Sequence, residues 1–144
     1  MSNKEQIIIF ENWFTIALPE TWDYTTEDDL ITICKSYNGN GVIQISCFYR
    51  TDRNESLQDT AEFHLNRFIN QFNVVIEDNS YEIIEVPGYT IANASGICED
   101  DFIKVWVIVN EEKMLLVTYI SSKKTKELSI AEDIIYSIQF ISKS

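Results

Sequence analysis

The run Phe102-Ile-Lys-Val-Trp-Val-Ile-Val109 is apolar at seven of its eight positions. A strand alternates its side chains between two faces, so a strand built from this run shows neither face to water. The chain must therefore cover both sides of the sheet that holds it, and the simplest expectation is a central strand with helices on both sides.

The neighbouring segments supply the rest of that sheet. Ile31 to Tyr37 alternates, and after Asn38-Gly-Asn-Gly41 the run Val42 to Tyr49 alternates again, with Ile43, Ile45 and Cys47 against Gln44 and Ser46. That is a β-hairpin with Asn and Gly at its turn. Further on, Tyr81 to Val86 stops at Pro87-Gly88, and Tyr89 to Cys98 and Met114 to Ser121 flank the apolar run. Ala92, Ala94 and Gly96 share one face, which leaves room for a helix or a neighbouring backbone to come close.

Two segments change period. Leu57, Ala61, Leu65, Phe68 and Phe72 recur at three and four, which predicts an amphipathic helix over 56–72 with Ser56 as its N-cap. Leu128, Ala131, Ile134, Ile135 and Ile138 predict a second helix from about Lys126 to Ser137, with Gln139 to Ile141 extended at an edge. Consecutive strands joined by short turns are antiparallel, so the order predicts an α+β domain with a largely antiparallel sheet. Near the start, Ala17-Leu-Pro-Glu-Thr-Trp22 places a proline at the end of the strand Phe14 to Leu18. Proline cannot donate to a ladder, and Trp22 is expected to fold back and close one end of the core.

A length of 144 residues fits one domain spanning 1–144. The opening residues lead into Ile7-Ile-Ile-Phe10, a run too short and too soon broken by Glu11 and Asn12 for a signal peptide or a membrane span. A cytoplasmic location is expected. Cys34, Cys47 and Cys98 form no CxxC pair, and an odd number without an export signal reads as small buried hydrophobes.

The net charge is −12, distributed as −4 over residues 1–50, −8 over 51–100 and zero over 101–144. Such a chain repels the nucleic-acid backbone and anionic membranes, and it attracts a protein partner with a basic surface. Two acidic groups, Glu27-Asp-Asp29 and Glu99-Asp-Asp101, would offer oxygen ligands to a divalent cation if their loops met. Without a calcium-loop spacing they read as solvated turns. His64 lies beside Leu57, Ala61 and Leu65 on the apolar helix face and reads as a core or rim residue. The motifs GxSxG, GxGxxG, Walker A and HExxH do not occur, so neither a cofactor nor a catalytic set is expected.

Taken in order, Phe10...Trp13-Phe14-Thr-Ile16...Leu18-Pro19...Trp22, the hairpin Ile31 to Tyr49, the helix from Ser56, the strands Tyr89 to Ser121 and the closing Ile134-Ile-Tyr-Ser-Ile-Gln-Phe140 resemble the Mog/PsbP/DcrB-like superfamily. The resemblance spans nearly the whole chain. It implies an α/β/α sandwich, an antiparallel sheet flanked by helices. It also implies a binding role, since members include a regulator that binds a small GTPase, photosystem subunits, lipoproteins, and neighbours of bacterial secretion effectors. The superfamily shares no catalytic motif, so no residue carries over.

The expectation is therefore a non-catalytic protein-binding or adaptor module, of secretion-associated or toxin-neutralising type. The alternative is a small-molecule-binding protein or enzyme, which a concave apolar cavity with one or two convergent polar groups would favour. Aromatic anchors dominate interfaces, and the candidates are Trp22, Tyr24, Tyr37 and Tyr49.

Overall fold

The fold is described by a computed structural model covering residues 4–141; residues 1–3 and 142–144, included in the single-domain expectation, lie outside it. In chain order the elements are β1 (Glu5–Phe10), β2 (Phe14–Pro19), β3 (Trp22–Glu27), β4 (Leu30–Lys35), β5 (Gly41–Tyr49), α1 (Leu57–Gln71), β6 (Val75–Ile76), β7 (Glu82–Val86), β8 (Tyr89–Cys98), β9 (Asp101–Val109), β10 (Lys113–Ser121), α2 (Glu127–Tyr136) and β11 (Gln139–Phe140). Two antiparallel sheets hold the strands. The larger has the order β3-β4-β5-β10-β9-β8-β6, with β7 also paired to β8, and the smaller has the order β1-β2-β11.

The expected α/β/α sandwich is overturned. The described residues are mostly β, with eleven strands in two antiparallel sheets and, among those residues, two short helices. The apolar run is central, as its pattern requires, but its two sides are covered differently. Ile103, Val105, Val107 and Val109 pack with Ala61 and Leu65 of α1. Phe102, Trp106 and Ile108 pack instead with Phe14, Ile16 and Leu18 of β2 and with Leu128, Ala131 and Ile135 of α2. The physical reason lies in β2, whose inward residues are all apolar and bury as well as a helical stripe would.

The Pro19–Trp22 corner is where the chain leaves one sheet for the other. Pro19 is the last residue of β2, opposite Glu5, and Trp22 is the first of β3, opposite Lys35. The Trp22 carbonyl accepts from Gln6 Nε2, and its ring is 1% exposed, filling the space between the sheets. On the other side of the larger sheet the row of small residues does what its size allows. Ala92 and Ala94 lie under α1, and a Cβ on Gly96 would come within 2.1 Å of the Val75 carbonyl oxygen.

Polar clasps join the layers. The buried Lys113 ammonium donates to the carbonyls of Asn12 and Ile141, tying the larger sheet to the smaller. The buried Glu127 carboxylate accepts from the amides of Asn40 and Gly41, each at 2.9 Å, and from the Tyr119 hydroxyl at 2.8 Å. That fixes the start of α2 against the start of β5, satisfying a carboxylate that would be costly to bury alone.

Candidate functional site

The four aromatic residues singled out from the sequence do not form one surface. Trp22 belongs to the core. Tyr24, on the edge strand β3, packs edge-on against Phe10 with ring centroids 5.4 Å apart. Tyr49 lies 4.6 Å from the Trp13 ring, and Tyr37, in the β4–β5 turn, is the most exposed at 78%. Tyr37 and Tyr49 flank opposite ends of β5, about 26 Å apart at the usual strand rise. The acidic turns are separated too. Glu27-Asp-Asp29 sits at the end of the sheet where Leu30 pairs with Ser46, level with the β9–β10 turn. Glu99-Asp-Asp101 closes the β8–β9 hairpin at the opposite end, so the two do not meet. Among the described residues no three His, Cys, Asp or Glu side chains stand together as a metal site.

A concave site forms elsewhere, because α1 is narrower than the sheet it covers. It lies across β8 and β9, and the same face of β5 is left open, with Val42, Gln44 and Phe48 exposed. Between α1 and strands β5 and β10 this leaves a cleft of about 520 Å³. Phe48, Met114 and Leu116 form the sheet side, and Phe68, Phe72, His64 and Arg67 form the helix side. From Thr60 to Gln71 the cleft follows α1 for about 16 Å. Phe48 and Phe72, at 44% and 46% exposed, leave large apolar surface at its mouth.

Arg50 closes one end. It follows β5 directly, is 9% exposed, and donates to the carbonyls of Asn110, Glu111, Asp52 and Glu55 and to the Thr60 hydroxyl, at 2.8–3.3 Å. Thr60 in turn donates to Glu55 Oε1 at 2.8 Å, and Ser56 caps α1 by accepting from the Asp59 amide at 3.0 Å. This network fixes the loop from β5 to α1 and hence the helix's position over the sheet. His64 sits midway, its ring edge-on to Phe63, and its pKa is lowered by burial and then by the Arg67 charge, partly countered by Glu55. The Cys47 thiol, on the other face of β5, is pushed up to about 12 by burial and then by Asp29, which makes it a poor nucleophile.

Sequence reasoning read His64 as a core or rim residue, and it is half-buried in the cleft wall, but Arg50, Phe48 and Leu116 were missed. The available signal was Arg50 itself, one of three arginines, set where an alternating strand ends. A second hollow of about 440 Å³ lies beside Pro19, Trp22, Lys35 and Asp133, with charges of both signs and a more polar lining.

No protein-family model matches the chain, and no curated protein is significantly similar to it in sequence. Twelve chains of solved structure do match it. One is a crystal structure at 1.50 Å from Bacteroides thetaiotaomicron VPI-5482, similar over 91% of this chain with a TM-score of 0.60 and 12% sequence identity. At that identity the likeness is one of fold alone. The chain spans 46% of that protein, about half its length.

Proposed function

We propose that the chain is a non-catalytic binding module whose protein partner inserts apolar side chains into the cleft between α1 and strands β5 and β10. The observation that carries this reading is the apolar mouth of Phe48 and Phe72 above a floor of Met114 and Leu116. Exposed apolar surface with a polar rim marks interaction sites, and well-packed aromatic anchors supply most of the energy of an interface. The charge of −12 favours a partner with a basic surface by steering its approach. The finer resemblance to the Mog/PsbP/DcrB-like superfamily points the same way, since its members mostly bind other molecules. An adaptor or toxin-neutralising role in a bacterial cytoplasm is the form this takes.

A small-molecule ligand is the second reading, favoured by one observation: Arg50, His64 and Arg67 line the same concave, largely apolar cleft. A photo-crosslinking residue placed at Phe48, at Tyr37 or at Ile7 and irradiated in the native host separates the readings. Docking predicts one discrete adduct from position 48 and none from the other two, weakened by salt. Adducts from all three, or from none, contradict docking at the cleft. Binding insensitive to ionic strength removes the electrostatic part.

A further inference from the structure

The cleft collects cationic side chains in a chain that is short of them. Two of three arginines, Arg50 and Arg67, line it together with the single histidine. The Arg50 guanidinium is buried against carbonyl and hydroxyl oxygens with no carboxylate directly bonded to it, and its Nε has no acceptor among the described residues. Such dipoles offset only part of a buried cation's lost hydration. Arg67 makes no ion pair among the described residues. The two carboxylates of the lining are engaged near Arg50. Asp52 Oδ1 accepts from the Asn54 amide at 3.1 Å, and Glu55 Oε1 accepts from Thr60.

Arg67 is an exposed residue at the rim, and a guanidinium without an ion pair among the described residues beside an apolar wall suits a single negative charge on an apolar body, since a guanidinium holds a carboxylate through two parallel bonds. A volume of about 520 Å³ is in the range of small-ligand sites. We propose that the cleft binds a carboxylate carried on an apolar group, with Arg67 on the carboxylate and Phe48, Phe68, Met114 and Leu116 around the apolar part. This rests on the cleft being the binding site. The same chemistry comes from two sources, a free medium-chain fatty acid or the C-terminal residue of a protein that ends in an apolar side chain.

Calorimetric titration of the full chain at pH 7.5 tests it, with octanoate, 1-octanol and octyltrimethylammonium as one arm. The second arm is a hexapeptide ending in Leu-Phe, with a free or an amidated C-terminus. Octanoate or the peptide acid is expected to bind one per chain and about tenfold or more tighter than its uncharged counterpart. Arg67→Gln is expected to erase that preference, and Arg53→Gln, outside the cleft, to leave it intact. Preference for the peptide acid assigns the site to a partner's C-terminus, and preference for octanoate alone assigns it to a free acid. The proposal is overturned if neither acid outbinds its counterpart, or if the preference survives Arg67→Gln. That outcome leaves an adduct from position 48 standing, whereas selective octanoate binding without any adduct overturns protein docking alone.

Discussion

The two faces of the larger sheet are made from the same alternating strands and end in different states. Toward β2 and α2, the side chains from Ile33, Ile43 and Ile45 across to Leu115, Trp106 and Tyr119 are sealed, with Trp22 and Trp106 at 1% and 0% exposed, while Tyr24, Tyr49 and Ile97 at the margins of that face stay exposed. Toward α1, the β8–β9 half is sealed and the β5 half is open, so Phe48 stays in water while Val107 does not. Burial of apolar area stabilises a fold in proportion to the area removed from water. The sealed face therefore carries stability, and the open half contributes little to it and is free to serve a ligand.

The comparison breaks most readily at the corner between the sheets. Trp22→Ala is expected to cost about 3–5 kcal/mol by urea unfolding, as truncation of a buried aromatic does. A loss below about 1 kcal/mol would mean that Trp22 is not part of the seal. Gly96→Ala probes the covered half of the α1 face, where the added carbon meets the Val75 carbonyl and has no flexible side chain to displace. The expected loss is about 1–3 kcal/mol, with β6 detached first in hydrogen exchange. Phe48→Ser on the open half is expected to cost less than about 1 kcal/mol while abolishing binding at the cleft. Loss of stability without loss of binding would reverse the roles of the two regions.

The sealed face was largely legible in the sequence, and the open half was not. Alternation in Val42 to Tyr49 and the run Phe102 to Val109 give strand, partner and face, because period alone decides which side chains are buried together. The same alternation does not say what covers a face. The opening strands supply Phe14, Ile16 and Leu18 as a second sheet, where the pattern equally suited a helix. The cleft depends on how far a helix of fifteen residues reaches across eight strands, a matter of width that no local pattern encodes. Tyr24, Tyr37 and Tyr49 were singled out as aromatics, but the strands carry them to separate places.

A smaller effect sharpens the boundary between the regions. His64 has its pKa lowered below 6.5 in the fold, and the charged groups around it are Arg67 on α1, Glu55 before it, and Arg50 and Asp52 at the cleft end. A depressed pKa contributes stability that is fully present above the unfolded value and is lost as pH falls through the folded one. His64→Gln is thus expected to reduce the decline in stability between pH 7 and pH 5, read from urea midpoints. An identical pH profile in the variant would show that the ring is solvated and that the helix side of the cleft is open there.

The most direct test of a sealed face for stability and an open one for binding is an amide NMR titration of the full chain with octanoate. Shifts that saturate and are confined to the segments around Phe48, His64 to Phe72 and Met114 to Leu116 are predicted, with the amides of β2 and α2 unmoved. Shifts gathered around Pro19, Trp22 and Ile130 would contradict it, and no shift at millimolar concentration from either octanoate or the Leu-Phe peptide acid would overturn the carboxylate site.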